Sequence, residues 1–485
     1  MSSLSLLRDL GELVSSDRIL TDELDRLCYS YDSSFISRLH RFIPDAVVLP
    51  RSVEETAAVV KYAARKGIPI VPRGAGSGES GGAVPVQGGI VMDMSTWKDV
   101  VELDVANMQI LVRPGLVHDE LNRLLAPHGL FFPPDPGSSK MATIGGMVAN
   151  NSSGLRAIKY GVTENYVLGL EVVLPDGRVI TTGGQDCRAL KNVSGLNLTK
   201  LFVGSEGVLG VITGIRLRLW PRPPSRGLVM AAFPRLEDAP KAVMAVFQAG
   251  MLPSGMEIMD SSAIEAVNLY RPDLNLPLCE AILLFEVDGD PPGVAWQVEQ
   301  IRSICEQWAR EVEEALEEER MTQLWEGRSL VAAAVSRLRS EGTRAFIGED
   351  ISVPLSRVPE ALRGIKSLAD KHQIKVVIFG HIGDGNLHTA PVIDPDDEGE
   401  VARVQHLADD IHRLALRLQG TVTGEHGVGF VRSQYARQEH GLALDAMFQV
   451  KKALDPLGIM NPGKIFPSPV KGAEADGKGT ASTAE

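Results

Sequence analysis

The chain has 485 residues, of which 44% are hydrophobic, and its formal net charge is −13 at pH 7. This length predicts two or more domains with a core large enough to enclose a buried site. The negative charge, with no Lys/Arg-rich run to offset it, argues against nucleic acid as a partner because both would carry the same sign.

The cysteines and the N-terminal residues indicate the cellular compartment in which we expect the protein. The cysteines lie far apart at positions 28, 187, 279 and 305 and form no C-x-x-C motif, so neither a disulfide framework nor an iron–sulfur or zinc motif is indicated. Leucines alternate with charged residues at the N-terminus, which predicts an amphipathic helix within a helical segment over residues 1–44. No stretch has transmembrane length, so we expect a cytoplasmic protein that reaches a membrane only peripherally, through a partner.

The pattern of residues 45–223 predicts a domain built from strands and turns. Ser52 and Glu55 form a capping box that begins a helix ending before Gly67, and a short apolar strand follows at residues 68–71. Short β-branched runs between turn signals predict further strands at residues 90–94, 109–113, 168–175, 179–182 and 208–219.

A proline-rich run at residues 221–225 marks the expected boundary of a second domain. This domain is predicted to span residues 224–425, with strands near residues 229–233 and 281–287. Residues 294–340 predict a helical stretch. We therefore expect a first domain of short strands and turns and a second domain that combines strands with long helices.

Two polar stretches are interpreted as having no chemical role. The acidic run at residues 311–319 reads as a solvated face of the predicted helical stretch, because such runs usually serve solubility. Residues 467–485 are small, polar and free of aromatics. Such a segment buries too little apolar surface to offset its loss of conformational entropy on folding, so a disordered tail is predicted.

Two glycine-rich loops predict a site for a phosphate-bearing cofactor. The first, at residues 72–82, has five glycines directly after a strand, and bare backbone lets amides turn towards an anion. It formally contains the dinucleotide fingerprint, but residues 82–85 do not begin a helix, so we reject a Rossmann fold. The second loop, at residues 133–138, 143–146 and 150–154, offers the hydroxyls, amides and backbone that a diphosphate needs.

A cluster of histidines predicts a second, chemically active site. If Asp384-Gly385 are the central residues of a tight hairpin, His381 and His388 are direct cross-strand partners with Cβ atoms ~5 Å apart, which lets them share one metal ion. Downstream, Glu425 and His426 supply a carboxylate and another imidazole. His381, His388 and Glu425 are the candidate metal ligands, and His426 is left as a candidate base.

These loops and clusters together resemble the FAD-linked dehydrogenases of D-2-hydroxy acids. That group includes D-lactate dehydrogenases, the FAD-bearing catalytic subunit of glycolate oxidase and D-2-hydroxyglutarate dehydrogenase, all flavoproteins of the vanillyl-alcohol-oxidase type. The resemblance spans roughly residues 30–466. It lies in residues 72–82, 135–154, 159–161, 204–207, 380–388, 425–427 and 461–464.

The resemblance implies an α+β fold of two domains. Residues 45–223 would form the FAD-binding domain of the p-cresol-methylhydroxylase type, residues 224–425 a cap domain with an antiparallel sheet, and residues 426–466 a segment closing over the FAD. Ser77 and Gly78 stand where covalently flavinylated relatives have a histidine, so the FAD should be non-covalent. The expected FAD contacts are Gly74, Ala75, Gly76, Ser77, Gly78, Pro134, Asp135, Thr143, Gly145, Gly146, Asn150, Gly154, Tyr160, Gly161, Glu206, Ile212 and Asn461.

The resemblance also implies the reaction, which is oxidation of a short D-2-hydroxy acid, D-lactate or glycolate, to the 2-oxo acid. A metal ion at His381, His388 and Glu425, commonly zinc in relatives, with manganese and iron as alternatives, would bind the substrate's hydroxyl and carboxylate. His426 would remove the hydroxyl proton as the C2 hydride passes to flavin N5. Arg328 matches the arginine that grips the substrate carboxylate through a bidentate fork.

Several alternatives stay open at this point. D-2-Hydroxyglutarate is disfavoured because Gly348-Glu349 stand where the enzymes for that substrate carry a lysine. A non-catalytic flavin-binding accessory subunit, or a flavoenzyme of carbon–oxygen bond chemistry like the alkyl-glycerone-phosphate synthases, would have no obvious use for a metal hairpin. Because the chain lacks cluster-binding cysteines, electrons would leave to an iron–sulfur subunit, an electron-transfer flavoprotein, a quinone or a cytochrome.

Overall fold

The computed structural model describes residues 3–339 and 349–467, so nearly all of the predicted tail lies outside the described residues. The α-helices are α1 Ser3–Gly11, α2 Glu23–Leu27, α3 Ile36–Leu39, α4 Val53–Lys66, α5 His118–Leu125, α6 Ile144–Asn150, α7 Ala157–Tyr160, α8 Leu198–Phe202, α9 Ala239–Gln248, α10 Ser261–Tyr270, α11 Pro291–Cys305, α12 Glu318–Ser329, α13 Val331–Ala334, α14 Val358–His372, α15 Glu398–Arg417, α16 Ala436–His440 and α17 Ala443–Leu454. Within the described ranges, none of these helices is long and apolar enough to span a bilayer.

The β-strands are arranged in four sheets within the described ranges. They are β1 Ile19–Leu20, β2 Ala46–Val48, β3 Ile70–Arg73, β4 Ile90–Asp93, β5 Val100–Asp104, β6 Gln109–Val112, β7 Leu130–Phe131, β8 Val167–Val173, β9 Val179–Thr181, β10 Val211–Arg218, β11 Trp220–Pro221, β12 Ser225–Phe233, β13 Gly255–Asp260, β14 Ala281–Gly289, β15 Glu311–Ala315, β16 Glu349–Ser352, β17 Lys375–His381 and β18 Asn386–Val392. Each strand predicted from the sequence is present, with its ends shifted by a few residues.

The first sheet has the order β1-β2-β4-β3, in which β2, β4 and β3 run parallel. The strand β1 lies inside the N-terminal segment that was predicted to be helical, and it joins this sheet by pairing with β2. Helix α4 begins as expected, because the Ser52 hydroxyl accepts the Glu55 N–H. The Glu55 carboxylate, however, accepts from the Arg51 N–H instead of closing the capping box. The strand β3 runs directly into the first glycine-rich loop.

The second sheet is antiparallel and has the order β5-β6-β10-β8-β9. The buried side chains of α6, Ile144, Met147 and Val148, pack in the same core cluster as Val172 and Ile215 of its central strands. Thr143 caps the start of α6, so the packing of this helix also fixes the position of Thr143 in the second glycine-rich loop.

The third large sheet is antiparallel and carries seven strands in the order β15-β12-β14-β13-β17-β18-β16 within the described residues. Alternate residues of each strand face opposite sides, so Val229 and Phe285 pack in one apolar cluster with α9, α11, α14 and α15. Leu228 and Leu284 pack in another cluster with α10, α12 and α13. The chain enters this sheet at Ser225, the last residue of the proline-rich run at residues 221–225. The histidine hairpin β17-β18 is therefore held in a sheet covered on both faces.

The predicted helical stretch at residues 294–340 is wrong in its middle. Helix α11 ends at Cys305, and the first part of the acidic run forms strand β15, which pairs with β12 at the edge of the sheet. Pairing with an existing strand overrides the helix propensity of the glutamates. Glu313 and Glu314 are paired with Arg320 and Arg302, and a charged edge strand resists pairing with other molecules.

Residues 421–467 form the C-terminal segment, which returns to the first sheet after the seven-stranded sheet is complete. The Ile70 N–H donates to the Ile459 carbonyl and the Asn461 N–H donates to the Ile70 carbonyl, each at 2.7 Å. Lys464 is fully buried and its ammonium group donates to the Val84 carbonyl at 2.6 Å. These bonds fasten residues 459–464 next to the first glycine-rich loop.

Lys464 gives a testable pH dependence of stability. Burial lowers the pKa of Lys464 to about 7 against the opposing attraction of Asp32 and Glu206, whereas the unfolded chain keeps its lysine proton until a pH of about 10.4. The folded state therefore binds fewer protons between these values and gains stability as pH rises. Relative to Lys464→Met, we expect a slope of about 1.4 kcal/mol per pH unit between pH 7.5 and 10.

The measurement is denaturant unfolding of both proteins across that range, followed by tryptophan fluorescence. A difference in unfolding free energy that stays constant with pH would show that Lys464 keeps its proton on folding.

Candidate active site

A cavity of about 510 Å³ lies where the two glycine-rich loops meet the histidine hairpin and the C-terminal segment. Small-molecule and cofactor sites commonly measure roughly 300–1,000 Å³. The predicted site residues that line it are Gly74, Ala75, Gly76, Ser77, Gly78, Thr143, Gly145, Gly146, Asn150, Glu206, Ile212, Arg328, His381, His388, Glu425 and His426. Cofactor candidates and catalytic candidates that are far apart in sequence therefore share one cavity.

The remaining predicted FAD contacts do not line this cavity; they are Pro134, Asp135, Gly154, Tyr160, Gly161 and Asn461. Asp135 instead pairs with Arg156 at 2.5 Å, and the Tyr160 hydroxyl donates to Asp288 at 2.8 Å. The Asn461 amide donates to two backbone carbonyls, at 3.0 and 2.7 Å. These contacts tie neighbouring segments together, and a direct contact of these residues with FAD stays a prediction.

The first glycine-rich loop packs closely on the second and leaves open space towards the cavity. A Cβ atom at Gly74 would collide with the side chain of Thr143, which caps α6 by accepting the Gly146 N–H at 3.2 Å. At Gly78, which lines the cavity, an added Cβ atom would meet no other atom within 4 Å. Bare backbone facing open space is a cradle that fits the phosphate groups of FAD.

The histidine hairpin has a wider turn than the sequence predicted. His381 at the end of β17 is the cross-strand partner of Asn386, and His388 lies opposite Phe379, so the predicted direct pairing of His381 with His388 is wrong. The connection is longer because Ile382 packs into the apolar core instead of pairing across the hairpin. The two imidazoles are diagonal neighbours on one face, with ring centroids 5.1 Å apart.

Three imidazoles nevertheless converge on one carboxylate oxygen. The Oε1 atom of Glu425 lies 3.1 Å from His381 Nε2, 3.3 Å from His388 Nε2 and 3.8 Å from His426 Nε2. Ligands bound at about 2.1 Å to one tetrahedral ion are roughly 3.4 Å apart, close to the first two distances. The ligand atoms of His381, His388 and Glu425 lie within 4.8 Å of one another. Two imidazoles and a carboxylate suit zinc, manganese or ferrous iron.

The pKa shifts of Glu425 and His388 favour their metal-binding forms, whereas that of His381 shows that the surrounding carboxylates favour a positive charge. Burial by itself would raise the pKa of Glu425, but His381 and His388 hold it well below its usual range. Burial would lower the pKa of His381, but Glu257 and Glu425 raise it. Burial lowers the pKa of His388, which favours the neutral imidazole that binds metals.

His426 has the environment of a base. Its ring stacks on His388 with centroids 5.1 Å apart and an interplanar angle of 8°. Burial by itself would lower its pKa, but the carboxylates of Asp350, Glu79 and Glu425 raise it. A raised pKa makes the imidazole a stronger proton acceptor.

Arg328 lines the cavity, but much of its guanidinium is already paired. Its Nε and Nη2 atoms lie 2.7 Å from one oxygen of the buried Glu257, whose other oxygen lies 2.6 Å from His381 Nδ1. The guanidinium carbon also lies 4.9 Å from the centre of the Phe379 ring. Glu257 therefore orients His381 through the ring nitrogen that faces away from Glu425, as partners of metal-binding histidines commonly do.

Asp350 fixes the backbone that carries Glu425 and His426. One oxygen of this buried carboxylate accepts the N–H groups of both residues at 2.9 Å and the Thr423 hydroxyl at 2.7 Å. Its other oxygen accepts from the Asn386 amide at 2.6 Å. The acid thus joins the C-terminal segment to the start of β18.

Glu206 makes the corresponding link to the N-terminal half. Its two carboxylate oxygens accept the N–H groups of Val428 and Gly429 at 2.8 and 2.7 Å. The Ser80 hydroxyl of the first glycine-rich loop donates to the His426 carbonyl at 2.7 Å. The segment that carries the catalytic candidates is therefore held from both halves of the chain.

Sequence reasoning missed three acids of this site. Glu257 lies between methionine and isoleucine in the buried strand β13, and an acid in a buried strand is the signal that could have found it. Asp350 lies in the edge strand β16, directly after Glu349, and this polar sequence does not mark it as a buried acid. Glu79 stood within the recognised glycine-rich loop but was not singled out, because nothing local to the loop indicates that it faces His426.

Two family models match the chain. Residues 44–183 match an FAD binding domain, and residues 222–465 match the C-terminal domain of FAD linked oxidases.

Two curated proteins and one solved structure are similar over most of their length. The glycolate oxidase subunit GlcD of Bacillus subtilis (strain 168) is 38% identical over 444 residues, covering 91% of this chain and 92% of that protein. The probable mitochondrial D-lactate dehydrogenase of Danio rerio is 38% identical over 426 residues, covering 87% and 84%. The structure of p-cresol methylhydroxylase with substrate bound superposes with a TM-score of 0.80 at 17% identity, covering 96% and 97% of the two chains, which confirms the predicted fold class.

The buried pair of Arg328 and Glu257 yields a test of stability. We expect Arg328→Met to lower the free energy of unfolding by about 3 kcal/mol, the lower end of the range for a broken buried ion pair, because Glu257 loses its guanidinium partner and keeps only His381. The double variant Glu257→Gln/Arg328→Met should regain part of that loss. Denaturant unfolding of the wild type, both single variants and the double variant measures the coupling, and losses that simply add would contradict it.

Proposed function

This chain belongs to the family of FAD-linked oxidases, and from that premise we propose that it oxidises a short D-2-hydroxy acid, D-lactate or glycolate, to the 2-oxo acid. The sequence-based resemblance and the assignment as an FAD-dependent oxidoreductase acting on CH–OH groups are confirmed by the family models and by the two relatives. The relatives are a glycolate oxidase subunit and a probable D-lactate dehydrogenase, which supports oxidation of a hydroxy acid.

One observation carries the proposal: two imidazoles, a carboxylate and a separate third imidazole meet in the cavity that the glycine-rich loops line. Oxidation of a hydroxy acid needs an electron acceptor, a group that acidifies the hydroxyl and a base, all within reach of one carbon. When bound, FAD supplies the acceptor for the C2 hydride, and a divalent ion at His381, His388 and Glu425 supplies a Lewis acid that lowers the hydroxyl pKa.

His426 takes the hydroxyl proton in the proposed reaction. Its Nε2 atom lies 3.8 Å from the same Glu425 oxygen that His381 and His388 approach, so a hydroxyl bound beside that oxygen lies within reach. Loss of that proton and of the C2 hydride leaves a carbonyl, which balances the two-electron oxidation. The stacking on His388 and the hydrogen bonds to the His426 backbone restrain the position of the base.

We also propose that Arg328 binds the substrate carboxylate. Two of its nitrogens are engaged by Glu257, and the guanidinium has further N–H groups beyond those. Since Arg328 lines the cavity together with the histidines, these remaining donors are suited to an anion.

FAD is proposed to bind non-covalently. The positions where covalent relatives have a histidine are Ser77 and Gly78, and neither side chain can form that bond. The predicted contacts that line the cavity would hold the cofactor. The close packing of Gly74 against the Thr143 side chain keeps the two loops together.

The electrons are proposed to leave the flavin for a separate acceptor. The chain's four cysteines form no cluster-binding motif. An iron–sulfur subunit, an electron-transfer flavoprotein, a quinone or a cytochrome would serve, and the four are distinguished by which one reoxidises the reduced flavin.

The substrate class is tested by mixing the FAD-loaded protein anaerobically with D-lactate, L-lactate, glycolate and D-2-hydroxyglutarate and following the flavin absorbance. We expect D-lactate or glycolate to bleach the flavin, L-lactate to have no effect, and chelation to abolish the bleaching because the hydroxyl is no longer acidified. Zinc or manganese should restore it. Failure of every acid to bleach metal-replete protein would favour the accessory-subunit alternative.

The role of the base is tested with His426→Asn, which keeps a polar side chain but cannot accept the proton. Loss of a general base costs typically about 10²–10⁴-fold in rate. We expect a decrease in this range in the rate of flavin reduction, measured by stopped flow, with FAD and metal contents unchanged. A variant that reduces its flavin at the wild-type rate would exclude His426 as the base.

A further inference from the structure

Glu79 is a carboxylate of the cofactor loop that faces the proposed base. It follows Gly78 in the first glycine-rich loop and lines the same cavity as His426. Its Oε2 atom lies 3.5 Å from His426 Nδ1. Both of these atoms are buried, and neither has a hydrogen-bond partner among the described residues. Two complementary polar atoms left unpaired at this separation are costly unless they bond to each other.

Asp350 is the other carboxylate near His426 Nδ1, but its oxygens are already engaged. It lies 3.9 Å from that nitrogen. Its oxygens accept four hydrogen bonds from Thr423, Asn386 and the backbone of Glu425 and His426. Asp350 therefore fixes the backbone of the base and has little capacity left for the ring, whereas Glu79 has a free oxygen.

The neighbouring residue of Glu79 holds the same histidine from its backbone. The Ser80 hydroxyl donates to the His426 carbonyl at 2.7 Å. The Ser80 carbonyl accepts the N–H groups of Phe430 and Val431 at 2.9 and 3.1 Å. This part of the loop is thus fixed against the C-terminal segment, so the Glu79 side chain begins from a defined position beside the imidazole.

We propose that Glu79 is a positioning residue for His426: its carboxylate accepts the Nδ1–H of the imidazole and so leaves Nε2 as the bare nitrogen. The inference rests on the proposed role of His426 as the base. Hydrogen bonds between catalytic groups are commonly long before substrate binds and tighten in the complex, so a separation of 3.5 Å is compatible with this bond.

The assignment gives the glycine-rich loop two functions. Residues 74–78 hold the cofactor, and the next two residues hold the base by its ring and by its backbone. Since the bond fixes which nitrogen carries the proton, Nε2 is kept ready to accept the proton of the substrate.

The test compares Glu79→Leu with Glu79→Gln, because leucine removes the acceptor and glutamine keeps an acceptor oxygen of the same shape. Removing the partner that orients a metal-bound histidine typically costs about 10–100-fold, and we expect an effect of the same size for the base. We expect the leucine variant to lose kcat for flavin reduction by that factor with KM within about twofold, and the glutamine variant to stay within about threefold of wild type. Equal rates in the two variants, whether high or low, would overturn the proposal.

A second measurement uses the wild-type holoenzyme and needs no turnover. Protein labelled with 15N-histidine reports the protonated ring nitrogen by NMR, with the His426 signals assigned from His426→Asn. At alkaline pH, where the ring is neutral, we expect the proton on Nδ1 in the wild type and a shift of the population towards Nε2–H in Glu79→Leu. Finding the wild-type proton on Nε2 would overturn the proposal even if the leucine variant failed to fold.

The two measurements separate this inference from the proposed function. If no hydroxy acid reduces the wild-type flavin, the proposed reaction fails while the tautomer of His426 can still be read. If the wild type reduces its flavin but the leucine and glutamine variants behave alike, the reaction stands and the role of Glu79 fails.

Discussion

Asp350 lies fully buried within β16, and its carboxylate accepts hydrogen bonds from a side chain of the hairpin and from three donors of the C-terminal segment. A buried carboxylate is tolerated only when its oxygens are satisfied. The segment that carries Glu425 and His426 therefore has to dock against the hairpin that carries His381 and His388. The proposed metal ligands and the base reach one point because this docking satisfies a single buried acid.

The same segment is fastened to the N-terminal half by independent bonds. Glu206 accepts two of its N–H groups, and the backbone of Ile70 pairs with residues 459 and 461. The cofactor loops and the histidines, which belong to different sheets, are thereby held against one cavity. Chemistry that needs a flavin next to an acidified hydroxyl depends on this closure, since neither half alone brings both together.

The charge balance of the site favours a cation. Among the described residues, four carboxylates lie around the three imidazoles, namely Glu79, Glu257, Asp350 and Glu425. Arg328 balances one of them through Glu257, and the buried Arg432 lowers the pKa of Asp350 and opposes the raised pKa of Glu79. Like charges in a buried site repel one another, and a divalent ion between the imidazoles and Glu425 would relieve that repulsion. The donors that fit a metal ion by their spacing thus also fit it by their electrostatics.

The sequence by itself determined the local features: the glycine-rich loops, the capped helix α4, the main strands and the identity of the metal-ligand candidates. These follow from patterns within a few residues, where backbone freedom, capping and β-branched runs act directly. Only the tertiary structure decided that β15 is a strand, because pairing with β12 overrides local propensity. It likewise decided the register of the hairpin, where burial of Ile382 lengthens the turn. The partners of Arg328 and of His426, Glu257 and Glu79, also come from distant strands and loops, and no local pattern encodes a contact between residues so far apart in the chain.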